Sequence, residues 1–431
     1  MNAPVRTELM PGVWLTAIQT RKFKSSFWSV QLLTPLRRET AALTALLPRV
    51  LARGTAHCPD QEQLGAALDQ LYGGVIEPYV FKRGEIQSAG FLATFLDDDL
   101  TLDGSPIARP AAELLGDLLL RPATKNGRLR ADYVDSERNN LVSDIRSQCN
   151  DKRYYALQRL IQEMCREEPY GVDRLGDEAS AKAIRIARLD KHYRNLLATS
   201  RIELYYCGSA PADRIRRAWT EALLGLPRWE LDELPEPQVL RHPQAVRQVT
   251  ETMDVTQAKL ALGFRTQIPP ESGESPALLV FNALYGGSPT SKLFQNVREK
   301  KSLCYYASSS LDRNKGLMTV QSGVDGDQAE EAKAEILVQL EAIREGDFRL
   351  GELESARRSV LHQLRATLDS QGSLEHFYSA QLPGRQPVSP EELAGLVEEV
   401  TAQDVVMAAN RVELDTVYLL TNPEHAGREE D

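Results

Sequence analysis

The chain has 431 residues, 42% of them hydrophobic and 26% charged, with a formal net charge of -10. That length exceeds one ordinary core and predicts two domains of about 200 residues each. The acidic balance argues against nucleic acid as a partner, because phosphate binding needs a basic surface, and no run approaches the ~20 apolar residues that span a bilayer.

In chain order, Val13 to Gln19 and Phe23 to Leu33 alternate apolar and polar residues about a polar turn and predict a β-hairpin. Thr40 to Arg53 has helical periodicity despite Pro48. A second helix, Gln61 to Tyr72, follows Asp60, which is placed to cap it. Val75 to Phe81 and Glu85 to Phe95 predict another hairpin, turning at Lys82-Arg83-Gly84. Ala111 to Leu120 is a helix stopped before Pro122. A long helical stretch then runs from Asp132 to Arg166, with Leu157, Leu160, Ile161 and Met164 as its apolar stripe. A helix over Leu189 to Ala198 and an apolar strand, Ile202 to Cys207, close the first half.

Pro227, Pro235, Pro237 and Pro243, among acidic residues, suit neither helix nor strand. They make 226–248 the expected linker between a domain of residues 1–225 and one of residues 249–431. The second half repeats the order of the first. It opens on a strand, Ala258 to Phe264, and a helix, Pro276 to Tyr285. A short helix with Leu293, Phe294 and Val297 on one face follows, then two strands about the polar turn Asp312 to Gly316. Two long helices, centred on Ile336 to Ile343 and on Leu353 to Leu368, precede a helix over Ala402 to Ala409 and a strand, Thr416 to Leu420. Ala45-Leu46-Leu47 with Gly54 recurs at the same spacing as Ala277-Leu278-Leu279 with Gly286. Two copies of one α+β unit are expected.

The most informative run is Gly286 to Gly323, GGSPTSKLFQNVREKKSLCYYASSSLDRNKGLMTVQSG. Its glycine pair, helix ending in Arg-Glu-Lys and Leu-x-Tyr strand resemble, in that order, the C-terminal half of the M16 (pitrilysin/insulinase-like) metallopeptidases. Ser302 departs from the glycine usual in that family. The resemblance covers nearly the whole chain in element order and is strong over residues 276–323. It implies two homologous α+β domains, each an antiparallel sheet with helices packed on one face.

The family's N-terminal domain carries an inverted zinc motif, H-x-x-E-H. Two histidines on one helix face ligate the metal and the glutamate polarises its water; the motif runs into a Gly-Thr pair. Here Gly54-Thr55 follows Leu51-Ala52-Arg53, so counting back puts Ala45, Pro48 and Arg49 at the three motif positions. None can do the catalytic work. Arg49 sets a permanent positive charge where a dication would bind, and Pro48 disturbs the helix that the spacing needs. Glu137-Arg138 resembles the lead-in to the family's third ligand and places Asp144 there; a lone helical Asp is more simply a solvated surface residue.

The histidines (His57, His192, His242, His362, His376 and His425) include no two at ligand spacing. His57-Cys58 beside the lost motif is the one pair that, with Asp144, could rebuild a metal site; a loop histidine next to a half-buried thiol is the plainer reading. Five cysteines (Cys58, Cys149, Cys165, Cys207 and Cys304) form no C-x-x-C pair. The N-terminus lacks the apolar core of a signal peptide, so a reduced, cytoplasmic protein is expected. There is no G-x-S-x-G elbow, and Gly286 to Lys292 lacks the second glycine of a phosphate loop.

Arg298 and Tyr305 match the arginine and tyrosine that, in family members working as pairs, lie opposite the zinc and hold the substrate backbone. Alternatively, Arg298 caps a helix C-terminus and Tyr305 is an ordinary strand aromatic. The combination resembles the non-catalytic partner of bacterial heterodimers. It implies no cofactor here, zinc in a paralogue with intact H-x-x-E-H, and a peptide substrate recognised partly by edge-strand addition. The competing reading is a peptide-binding scaffold with no part in hydrolysis.

Overall fold

The computed structural model describes residues 3–236, 238–381 and 387–423; Pro237 of the expected linker and His425 lie outside them. The first part of the chain forms β1 (Val5–Met10), β2 (Val13–Gln19), β3 (Ser25–Pro35), α1 (Ala41–Leu51), α2 (Gln61–Gln70), β4 (Val75–Arg83), β5 (Ile86–Leu96) and α3 (Ala108–Leu120). The two-residue strands β6 (Thr124–Lys125) and β7 (Arg128–Leu129) lead to α4 (Ala131–Ser147), α5 (Lys152–Met164), α6 (Glu178–Lys182), α7 (Ile186–Thr199), β8 (Arg201–Gly208) and α8 (Ala212–Ala222). Then come β9 (Arg247–Thr252), β10 (Ala258–Arg265), α9 (Ser275–Asn282), two π-helical stretches (Ala283–Gly287 and Leu293–Lys300), β11 (Tyr306–Asp312) and β12 (Leu317–Val324). The chain continues through α10 (Ala329–Arg344), α11 (Leu350–Thr367), α12 (Gln371–Ser379), α13 (Pro390–Glu398), α14 (Ala402–Arg411) and β13 (Glu413–Thr421). No helix among the described residues is long and apolar enough to cross a membrane.

These elements make two compact units. The first takes in the chain up to Arg146 with Val172–Pro235 and Ser370–Pro387; the second takes in Ser147–Gly171, Glu236–Asp369 and the chain from Val388. Each unit thus holds a helix from the other half of the chain, α12 in the first and α5 in the second.

In the first unit the strand order is β1-β2-β8-β3-β5-β4, antiparallel except for β2 with β8. The expected hairpin of β2 and β3 is therefore corrected: β8 lies between them. Alternation marked both as half-buried strands but could not choose their partners. Gly12, at φ +71, closes a tight turn that folds β2 back on β1 instead. The β4–β5 hairpin forms as expected, with Val75 opposite Thr94. One sheet face packs on α1, α3, α4, α7 and α8 through a core that includes Trp28, Leu46, Leu47, Phe91, Leu115 and Trp219. Trp28 meets Tyr206 and Trp219 edge-on, at 4.7 Å and 5.9 Å between ring centres. Each such buried side chain stabilises the fold by about 1.5–3 kcal/mol. Pro48 does not break α1: the helix runs on to Leu51, and Ala52 N–H donates to the Pro48 carbonyl at 2.9 Å.

In the second unit the order is β11-β12-β10-β13-β9, again antiparallel save one pair, β13 with β9. The long helix expected from Asp132 to Arg166 is two helices. Asp151 accepts hydrogen bonds from the backbone of Arg153 and Tyr154, an N-cap that starts α5 afresh. Its apolar stripe then serves a different core: Ala156 and Leu160 pack on Ala261, Tyr418 and Leu420.

Ser302 follows the second π-helical stretch at φ +55, with Ser302 N–H bonded to the Arg298 carbonyl at 3.1 Å. The left-handed conformation costs an L-residue about 1–2 kcal/mol, which explains the glycine usual in the resembled family. Ser302→Gly is expected to stabilise the second unit by about 0.5–1 kcal/mol after glycine's larger unfolded-state entropy is deducted; a urea midpoint that falls instead would show that the hydroxyl matters more than the strain.

Candidate functional site

The positions of the lost zinc motif lie on α1. Ala45 is wholly buried in the core, Pro48 is buried, and Arg49 is partly exposed. Arg49 Nη1 lies 2.6 Å from Asp144 Oδ2 on α4. The contact joins the two residues that the resemblance assigns to the second histidine and the third ligand. One turn on, Arg53 Nη1 donates to Glu137 Oε1 at 2.9 Å, and Asn140 Nδ2 to the other Glu137 oxygen at 3.1 Å. Two Arg–carboxylate pairs therefore connect α1 and α4 in antiparallel register. These residues do not fit zinc: Ala45 has no lone pair to give, Pro48 cannot accept a proton, and the Arg49 guanidinium keeps its charge and has its carboxylate.

The Gly54-Thr55 anchor of the motif has a structural use. A Cβ on Gly54 would meet the Cys58 carbonyl oxygen at 2.7 Å, and Thr55 Oγ1 accepts from the His57 and Cys58 backbone at 3.2 Å and 2.9 Å. His57 is turned the other way, its Nδ1 2.7 Å from Asp117 Oδ2 on α3, so His57, Cys58 and Asp144 do not converge. Among the described residues no three His, Cys, Asp or Glu side chains come together as a metal site. Sequence reasoning passed over His192 on α7, whose Nε2 lies 2.9 Å from Thr44 Oγ1, next to Ala45. Burial, and to a lesser degree the nearby Arg188, pull its pKa down to about 4.

Arg298 and Tyr305 sit in the second unit. Arg298 lies in the last turn of the π-helical stretch, as expected; its guanidinium carbon is 4.7 Å from the centre of the Phe294 ring, and Nη1 is 3.5 Å from Glu299. Tyr305, one residue before β11, is 61% exposed. Its backbone N–H donates to the Gly323 carbonyl at 2.9 Å and its hydroxyl makes a long contact to Asp325 Oδ1 at 3.3 Å. Both side chains present donors to solvent, held only by weak neighbours.

Residues 183–360 match the family model described as Peptidase M16 inactive domain. The chain is 32% identical to the "Probable inactive metalloprotease YmfF" of Bacillus subtilis (strain 168), over 96% of this chain and 97% of that one. The chain belongs to the M16 metallopeptidase family. A solved structure of a conserved protein from Enterococcus faecalis V583 superposes with a TM-score of 0.88 at 29% identity, covering 99% of this chain and 100% of that one. A protease from Helicobacter pylori shares the fold at a TM-score of 0.78 and 14% identity, covering 97% of this chain and 99% of that one.

Because the Asp144 side chain is 51% exposed and Arg49 24% exposed, their pair is expected to contribute under about 1 kcal/mol. A double-mutant cycle with Arg49→Ala and Asp144→Ala checks this: a coupling energy near zero would mean the contact is incidental. For His192 the folded pKa, about 4, is below the ordinary 6.5. The unfolded chain then binds a proton that the folded one excludes, so stability falls as pH drops from about 6.5 to 4, with a slope of at most about 1.4 kcal/mol per pH unit. His192→Gln should flatten that part of the stability curve, measured by chemical denaturation at each pH; an unchanged slope would assign it to carboxylates.

Proposed function

We propose that this chain is a zinc-less M16 subunit that pairs with a zinc-bearing M16 paralogue and helps it bind and process a peptide. Its two halves, residues 1–225 and 249–431 joined through 226–248, are then copies of one M16-like domain, a reading supported by the matching strand order of the two sheets. The observation that carries the proposal is the Arg49–Asp144 pair, which joins two positions that the resemblance assigns to metal ligands. A chain so built cannot activate water, and its relative of similar length is described as inactive. The zinc-polarised water must come from a partner with intact H-x-x-E-H.

What this chain adds is two hydrogen-bond donors. The Arg298 guanidinium and the Tyr305 hydroxyl suit the carbonyl oxygens of an extended peptide backbone. Neither is committed: Arg298 rests on a ring face and a loose contact to Glu299, and Tyr305 on one long hydrogen bond. A reduced compartment, the cytoplasm, suits five cysteines of which none is in a disulfide.

The chain alone is expected to bind far less than one zinc per molecule and to show no peptidase activity. Mixed with a zinc-bearing paralogue from the same cell, it should restore cleavage. Arg298→Ala with Tyr305→Phe should then lower kcat/KM at least about tenfold while the complex still sediments as one species. Full activity of that doubly substituted pair would transfer the chain to the scaffold reading.

A further inference from the structure

The two sheets are not equally finished. In each, a single pair of strands is parallel: β2 with β8 in the first unit and β9 with β13 in the second. The remaining neighbours correspond as well, so β9 is the counterpart of β2. In the first unit the outer edge of β2 is covered by β1, which runs antiparallel to it with Arg6 opposite Thr16. In the second unit no described residues form a strand on the outer edge of β9. Its Gln248, Thr250 and Thr252 are exposed.

The way β1 is held shows what such a strand brings. Arg6 donates through both terminal nitrogens to Glu203, at 2.9 Å and 2.8 Å, and to Thr16 Oγ1 at 2.9 Å. A guanidinium on the outermost strand thus neutralises a carboxylate within the sheet. The second unit has a carboxylate on β9 itself, Glu251, and no such strand among the described residues. A groove of about 600 Å³ runs between α5 and β9, and Tyr155, Gln158, Arg159 and Glu251 line it. Glu251 accepts from the Tyr155 hydroxyl at 2.6 Å, the Tyr418 hydroxyl at 2.7 Å and Arg159 Nε at 3.0 Å. Burial works to raise its pKa, but these three hydrogen bonds hold it below the ordinary value, so the carboxylate is charged. Arg159 also pairs with Glu163 at 2.9 Å. Arg159 is therefore shared, and Glu251 does not have that guanidinium to itself. Arg247, at the start of β9, gives Glu251 no hydrogen bond of its own: its guanidinium is turned to the Glu163 carbonyl oxygen.

We propose that the groove between α5 and the open edge of β9 is a docking site for an extended peptide strand that runs antiparallel to β9 and places a basic side chain over Glu251. The main-chain groups of β9 supply affinity that does not depend on sequence, and the groove supplies the preference for Arg or Lys. The volume lies within the range of about 300–1,000 Å³ usual for ligand-binding clefts. The strand order puts this site at the opposite edge of the sheet from β11, so it is separate from the Arg298 and Tyr305 donors. It rests on the peptide-handling reading only for the source of the strand, a peptide ligand supplied in trans.

The probe is a fluorescein-labelled synthetic peptide with the sequence of this chain's own Pro4 to Met10, PVRTELM, titrated into the full-length protein by anisotropy. Saturable binding is expected, with slowed amide exchange in 247–252. Glu251→Gln, which keeps the shape of the side chain, should weaken binding at least about tenfold, as should replacing the arginine of the peptide by glutamate. The Arg298→Ala/Tyr305→Phe protein should bind as well as the unaltered chain. The proposal is overturned by no binding at about 1 mM peptide, by equal affinity in the Glu251→Gln protein with unchanged thermal melting, or by protection confined to other strands. The subunit reading would survive any of these, because it is judged by the activity of the reconstituted pair.

Discussion

The second unit is organised around one buried carboxylate. Glu168, in the segment that follows α5, lies 2.6 Å from Arg265 Nη2 and 2.6 Å from Lys315 Nζ, and all three side chains are 2% exposed or less. Arg265 Nε reaches Asp415 at 2.9 Å. Burial would raise the pKa of Glu168, but the two cations outweigh it and keep the carboxylate ionised below its ordinary range. Removing one member of such a cluster strands the others, at a cost of about 3–5 kcal/mol. The cluster binds the segment from Ser147 to Gly171 to β10, to β13 and to the turn between β11 and β12. That placement brings α5 alongside β9 and so creates the groove with Glu251.

Local signals in the sequence survive well. The hairpin of β4 and β5, the capped α2, the helix over Leu189 to Ala198 and the strand of Ile202 to Cys207 all form within a few residues of their expected bounds. Their patterns depend on which face is buried, and that is written locally. Pairings are not. β2 and β3 alternate like hairpin partners, yet β8, far along the chain, lies between them, parallel to β2 and antiparallel to β3. The stripe of Leu157, Leu160, Ile161 and Met164 was legible as apolar, but not the sheet that it would cover. Asp151 looks like any polar residue in a long helix until its side chain is seen capping Arg153 and Tyr154. Short or polar elements such as β1, β9 and α12 carry too little apolar periodicity to stand out.

At the positions that the resemblance assigns to zinc, the sequence offers Arg49 as a charge opposed to a metal and Asp144 as a third-ligand candidate or a solvated surface residue. Only the packing of α1 against α4 makes the two partners. Ser302 shows the reverse case. A single departure from a family glycine marks a backbone position with positive φ that no periodicity could reveal.

An ion pair between Arg49 and Asp144 also says what the helices need at that position. A half-exposed guanidinium–carboxylate pair contributes little, far less than a structural zinc ion. The approach of α1 to α4 must therefore come from elsewhere. Leu46, Leu47 and Val50 on α1 share one core with Val134 and Leu141 on α4, and burial of five such side chains stabilises by several kcal/mol. With the helices held in this way, the ligand positions carry charge compensation and little else. Asp144 is half-exposed, so solvent and the Arg49 guanidinium together meet its charge without a metal.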